Sequence, residues 1–195
     1  MTLTGLLLAG GESRRMGRDK ATMEWDGEPL WRRQLELLRG LSPDKVFVSV
    51  RSEPGWVPDD VEALVDDPPS RGPLSGLTKA LATMQTTHLI ALAVDMPFIT
   101  SDEIRDLWRH AEAGSGVVPM IGERAEPLTA VYPAEAAADF QAALTGSDFS
   151  LQPIVRALAE VGKVKLWSVS EKRANLYRSV NEPGHINCSD GALSP

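Results

Sequence analysis

Residues 6–21 join an apolar run, Leu6-Leu7-Leu8-Ala9, to a glycine pair, Gly10-Gly11, and then to four cations within seven positions: Arg14, Arg15, Arg18 and Lys20. A buried strand that ends in a flexible, donor-rich, cationic loop is suited to holding a polyphosphate. Glycines let main-chain N–H groups approach an anion with no Cβ in the way. Guanidinium and ammonium groups can then neutralise charge that grows as a phosphoryl bond breaks. The other reading, a solvated basic loop after an ordinary strand, fits poorly with so local a cluster.

A second apolar run, Leu89–Val94, is ended by Asp95-Met96-Pro97. A carboxylate at the tip of a buried strand offers the hard oxygen donors that Mg²⁺ takes alongside substrate phosphates. The same aspartate could instead cap the turn before Pro97. The third feature is the loop Asp66-Asp67-Pro68-Pro69-Ser70-Arg71-Gly72-Pro73. Its prolines and glycine deliver a helix N-terminus, a favourable place for an anion or a polar ring edge. Asp66 or Asp67 could accept from the exocyclic amine and ring N–H of guanine, could bind the ribose, or could face solvent. Gly76, just inside that helix, is a weaker candidate for the same nucleotide site.

Other groups carry less. The three histidines, His88, His110 and His185, form no ligand-spaced set, so a zinc site is not expected. Cys188, beside a Gly/Ser/Pro-containing tail, reads as an incidental thiol. The five tryptophans are scattered and read as packing residues. Glu171-Lys172-Arg173 reads as a solvated turn, or as a contact for an acidic acceptor.

These groups must be held by a scaffold of alternating short apolar runs and amphipathic stretches. Strands are expected at Leu3–Ala9, Val46–Val50, Val61–Val65, Leu89–Val94, Gly116–Met120, Leu128–Tyr132 and Val164–Val169. Helices are expected at Leu30–Leu38, Leu74–Met84, Ser101–Ala113 (with Ser101 as N-cap), Ala134–Leu144 and Leu151–Val161. Strands separated by helices imply an α/β fold: a single domain over residues 1–188 with a C-terminal tail at 189–195, its mostly parallel sheet covered by helices on both faces. Ligands of such sheets bind beyond the carboxyl ends of the strands. Gly10-Gly11 and Asp95 can therefore face one crevice.

Bulk properties agree. Its 195 residues, 43% hydrophobic and 24% charged, suit one soluble globular domain. A balance of 20 basic against 27 acidic residues, net −7, argues against non-specific nucleic-acid binding. A single cysteine suggests a reducing, cytoplasmic setting. The first apolar run is too short to span a bilayer, so no membrane association is expected.

The loop matches neither a P-loop nor a dinucleotide glycine fingerprint. Leu8-Ala9-Gly10-Gly11, Ser13-Arg14-Arg15-Met16-Gly17 and Asp19-Lys20-Ala21 together resemble the Rossmann-like nucleotidyltransferases, and most closely the molybdenum cofactor guanylyltransferases of the MobA type. Gly10-Gly11 followed by Asp19-Lys20-Ala21 favours the guanylyl branch over relatives that transfer cytidylyl groups. The resemblance implies GTP and molybdopterin as substrates, Mg²⁺ as cofactor, and delivery or client proteins of molybdoenzyme assembly as possible partners. It assigns Leu8, Ala9, Gly10, Gly11 and Arg14 to the nucleotide, Lys20 and Arg15 to charge neutralisation during transfer, Asp95 to the metal and Asp66 to the nucleoside. Glu126-Pro127-Leu128 and the tail Ser179-Val180-Asn181 also echo the family, with Asn181 matching its second tail asparagine. Two positions depart: Ser179 replaces the first tail asparagine, and Val50 replaces the asparagine usual before Arg51. Other readings are a transferase of this fold using CTP or another phosphorylated acceptor, and a non-catalytic nucleotide-binding or cofactor-handling module.

Overall fold

Strand β1, Leu3–Leu8, is buried along its whole length, which requires neighbours on both edges and both faces. In this computed structural model, which describes residues 1–10 and 19–180, chain order supplies them. After β1 come β2 (Glu24–Trp25), β3 (Glu28–Pro29), α1 (Leu30–Arg39), β4 (Lys45–Val50), β5 (Glu62–Val65), α2 (Pro73–Thr83) and β6 (His88–Ala93). Then follow α3 (Ser101–His110), β7 (Gly116–Ile121), β8 (Arg124–Ala125), β9 (Thr129–Pro133), α4 (Ala137–Leu144), α5 (Leu151–Glu160), β10 (Val164–Ser168) and α6 (Glu171–Ala174).

The main sheet runs β10-β7-β9-β6-β1-β4-β5, with β8 attached to β7. β1 lies parallel between β4 and β6, and β5 and β10 are also parallel to their neighbours. β9 departs from that pattern, running antiparallel to both β6 and β7. A parallel return would need a crossover of about a dozen residues or more, and the stretch from β7 to β9 is too short for one. The reversal matters for function. It brings the start of β9 to the edge where the parallel strands end.

Alternating side chains split the core between the two faces. Leu3, Leu7, Val48, Ile90 and Leu92 meet Leu35 and Leu38 of α1 and Ile104 and Leu107 of α3. Leu6, Leu8, Phe47, Leu89 and Ala91 meet Leu74 and Leu77 of α2, Phe140 of α4 and Ile154 and Leu158 of α5. The expected helices on both faces are present, with revised ends. Thr100, not Ser101, caps α3, accepting from the Glu103 amide, because its backbone is extended while Ser101 is already helical. That helix stops at His110, where Ala111 turns extended (φ −72°, ψ 147°), three residues before the expected end. The stretch before α4, Ala134–Ala136, is a single 3₁₀ turn.

Candidate nucleotide site

Main-chain hydrogen bonds continue past the strand ends and place the three sequence-derived segments side by side. The Val94 amide donates to the Leu8 carbonyl (3.1 Å), the Ala9 amide to Ser49 (2.9 Å) and the Asp66 amide to Val50 (2.9 Å). Asp95, Gly10 and Asp66 therefore stand along one edge, at the ends of β6, β1 and β5.

The first pair to meet there is Lys20 and Asp95. Lys20 Nζ donates to Asp95 Oδ2 at 2.8 Å, with the two side chains only 18% and 21% exposed. Lys20 sits in a 3₁₀ turn, Lys20–Thr22, whose Ala21 is fully buried and whose cap is Asp19. Asp95 and the two residues after it are held from three directions. The Val180 amide donates to its carbonyl (2.9 Å). Gln34 Nε2 and Arg33 Nε of α1 donate to the Met96 and Pro97 carbonyls (2.7 and 3.1 Å), and the Thr129 hydroxyl donates to Met96 Sδ (3.0 Å).

Val180 reaches Asp95 because the segment before it is clipped to α3. Glu103, 1% exposed, accepts from Arg173 Nε (2.7 Å) and from the Tyr177 hydroxyl (2.7 Å). A buried carboxylate needs such partners. Arg173 is thus not part of a solvated turn, as expected for 171–173, although Glu171 and Lys172 are exposed. Burial and the Glu103 carboxylate both push the Tyr177 hydroxyl well above the usual tyrosine range.

Of the two loop acids, Asp66 is 9% exposed and Asp67 faces outward. Asp67 pairs with Lys79 at 3.1 Å, and the same ammonium donates to the Val65 carbonyl (2.6 Å). Asp66 Oδ2 accepts from the Ser70 hydroxyl (2.6 Å), whereas its buried Oδ1 has no partner among the described residues. Burial raises this carboxyl above its ordinary value, and the Ser70 hydrogen bond and the Arg51 charge oppose the shift. A buried acceptor with a vacant lone pair is costly unless a donor arrives. The N–H groups of a base edge would be such donors.

Gly10 contributes its carbonyl, which accepts from Arg51 Nε at 2.7 Å. Gly76 answers to packing instead: a Cβ there would lie 2.2 Å from Ser49 Oγ and 2.9 Å from Ser49 Cβ. Gly72, at φ +64°, supplies the left-handed turn that lets Pro73 open α2. Gly11, Arg14, Arg15, Asn181, His185 and Cys188 lie outside the described residues. All five tryptophans face another ring: Trp25 on Phe98, Trp31 on Trp56, Trp108 on His88 and Trp167 on His110.

Gln34 was not singled out in the sequence, and Glu126 was noted there only as part of a family-like segment. Gln34 is fully buried, and it stands in the Leu30–Leu38 stripe at helical spacing, a polar residue at a core position. That misfit was its signal. Glu126 lies between β8 and β9, and the reversed β9 carries it to the same edge. Burial pushes its carboxyl up to about 7, with the Asp95 charge adding and the Leu128 amide and Arg124 opposing.

Among the described residues no group of three or more His, Cys, Asp or Glu side chains is arranged around a metal position. Asp95 offers a carboxylate on a turn whose backbone is fixed by the Val180 amide. That donor set matches the way Mg²⁺ is usually bound, with one or two carboxylates and the rest phosphate oxygens and water.

A glycine-ended strand, a buried carboxylate oxygen without a donor among the described residues and a cation–carboxylate pair, all at the carboxyl edge of a mostly parallel sheet, stand where Rossmann-like α/β domains bind their ligands. The chain belongs to the MobA-like NTP transferase family, whose model matches residues 5–163. It is 36% identical over 184 residues to a probable molybdenum cofactor guanylyltransferase of Opitutus terrae, covering 93% of this chain and 91% of that one. It is 34% identical over 162 residues to the molybdenum cofactor guanylyltransferase of Pseudomonas fluorescens, covering 80% of each. The crystal structure of molybdopterin-guanine dinucleotide biosynthesis protein A from Archaeoglobus fulgidus matches with a TM-score of 0.71 over 94% of both chains. At 21% identity that likeness is one of fold. No helix among the described residues is long and apolar enough to cross a membrane.

Proposed function

We propose that this chain transfers GMP from GTP to the terminal phosphate of molybdopterin, releasing pyrophosphate. An oxygen of the acceptor phosphate attacks the α-phosphorus of GTP. A bond forms there as the bond from that phosphorus to the α–β bridging oxygen breaks, and the electron pair leaves with pyrophosphate. The acceptor phosphate is already anionic at neutral pH, so the protein needs no strong general base. Its work is alignment and charge neutralisation.

The observation that carries this reading is the Lys20–Asp95 pair at the strand edge. Lys20 neutralises charge on the α- and β-phosphates as the bond breaks. Gly10 and Gly11 contact phosphate through the main chain, with Leu8 and Ala9 leading into the loop, and Arg14 and Arg15 clamp the departing pyrophosphate. Asp66 Oδ1 accepts from the guanine edge. Asp95 is the residue that would hold Mg²⁺, which when bound would add Lewis-acid neutralisation at the phosphates. The relatives' names support the guanylyl donor and the molybdenum cofactor acceptor.

The test is pyrophosphate release from GTP, CTP and ATP, each with molybdopterin, with and without magnesium. Release with GTP that needs both molybdopterin and magnesium is the expected result. A preference for CTP, or tight GTP binding without release, would overturn it.

A further inference from the structure

Lys20 and Asp95 lie on separate segments, and α1 is fastened to both. Toward Asp95, Arg33 and Gln34 donate to the two carbonyls that follow it. Toward Lys20, Trp31 of α1 stacks on Trp56, with ring centroids 5.3 Å apart and planes inclined by 22°. Trp56 Nε1 then donates to Asp19 Oδ2 at 3.1 Å. The other oxygen, Asp19 Oδ1, accepts from the Ala21 amide at 3.0 Å and closes the turn that carries Lys20. The circuit runs from Asp95 through α1, Trp31, Trp56 and Asp19 to Lys20, and back to Asp95.

We propose that Trp56, acting through Asp19, is a positioning residue that sets Lys20 against Asp95. The inference rests on the transfer reaction proposed above. Trp56 belongs to the segment between β4 and β5, which contains no helix or strand and would otherwise read as connection. Its indole N–H and the Ala21 amide engage both oxygens of Asp19, so the carboxylate shapes the turn. A ring that served packing alone would need no carboxylate at its N–H. Displacing a charged group by even about 1 Å costs much of the benefit of preorganisation, so small losses of this brace are read in turnover.

Trp56→Phe keeps a ring against Trp31 and removes the N–H. Asp19→Asn reaches the same link from its other end and leaves the aromatic pair intact. For each variant, amide hydrogen exchange at Ala21 and kcat and KM for GTP are measured against the wild type. The expected result is exchange at Ala21 faster by about tenfold, with protection in β1 and β6 unchanged. Alongside it, kcat falls about tenfold and KM for GTP stays within about twofold. Wild-type exchange at Ala21 in both variants overturns the proposal. So does protection lost throughout β1, which would make Trp56 a packing residue. Lys20→Ala in the same assay separates the two readings. If that variant keeps full turnover, or if the wild type releases no pyrophosphate, the proposed reaction fails, while exchange at Ala21 still decides the role of Trp56.

Discussion

Lys20 and Asp95 are 75 positions apart in the chain, yet Nζ and Oδ2 lie 2.8 Å from one another at the carboxyl edge of the sheet. Neither belongs to a regular strand or α-helix. Each is delivered by a short turn fixed to the fold from behind, Lys20 by buried Ala21 and Asp95 by the amide of Val180. In the proposed reaction this cation would pass to the phosphates with little rearrangement, and Asp95 would then be the residue to hold a metal.

Lys20→Ala removes one preorganised charge. Turnover at saturating GTP and magnesium should fall about a hundredfold, the typical effect of losing one such contact. Stability should change by no more than about 1–2 kcal/mol, since the Asp95 carboxylate left behind still reaches water. Steady-state pyrophosphate release and urea unfolding measure the two effects; unchanged turnover removes Lys20 from the mechanism.

Asp95→Asn keeps the shape and removes the charge. The magnesium concentration for half-maximal activity should rise by about tenfold or more, as a hard dication loses its anionic donor. A magnesium titration at fixed GTP checks this. An unaltered midpoint would place the metal elsewhere.

Asp66→Asn should erode the choice of base. The asparagine amide can present a donor where Oδ1 offers only an acceptor, and so meets the guanine N–H groups poorly. Inosine triphosphate, which lacks the exocyclic amine, provides the comparison. Wild type should prefer GTP over ITP by about tenfold in kcat/KM, and the variant by much less. Equal preference in both proteins would release Asp66 from base reading.

Much of this was legible in the sequence because burial and strand geometry leave a plain signature. Residues 6–8 and 89–93 are continuous apolar runs because both faces of a central strand are covered. Position at a strand end makes Gly10 and Asp95 site candidates, whereas the metal role expected of Asp95 rests on the family resemblance. Less legible was anything set by contacts between distant segments. The direction of β9 depends on the length of an excursion through β8, which apolar spacing does not encode. Asp66 and Asp67 are chemically identical neighbours, and only their packing tells the buried acceptor from the outward partner of Lys79. Arg173 looked solvated because its partner, Glu103, is buried on another helix. Gly76 resembled a site glycine, yet Ser49 across the interface explains it.

That last contact can be tested directly. Gly76→Ala places a methyl 2.2 Å from Ser49 Oγ and 2.9 Å from its Cβ, so α2 must move off β4 or the serine must shift. Overpacking of this kind costs about 1–3 kcal/mol. Urea unfolding of the variant should show a midpoint lowered accordingly. A stability equal to wild type would mean that the helix seats differently from the packing described.

Glu126 gives the pH dependence. Its carboxyl is pushed up to about 7 from an ordinary 4.5, with burial as the main cause. In the fold it keeps its proton to about pH 7, whereas in the unfolded chain it releases it above about 4.5. The folded state therefore binds more protons across that window, and stability declines as pH rises through it. The contribution is complete below about 4.5 and gone above about 7. Glu126→Gln removes the titrating group, while its carbonyl can still accept from the Leu128 amide. Relative to wild type, the variant should gain on the order of 3 kcal/mol between pH 4.5 and 8. Urea unfolding at a series of pH values measures the difference. A gap between the two proteins that stays constant with pH would mean that Glu126 is ionised throughout, and that Arg124 and the Leu128 amide outweigh its burial.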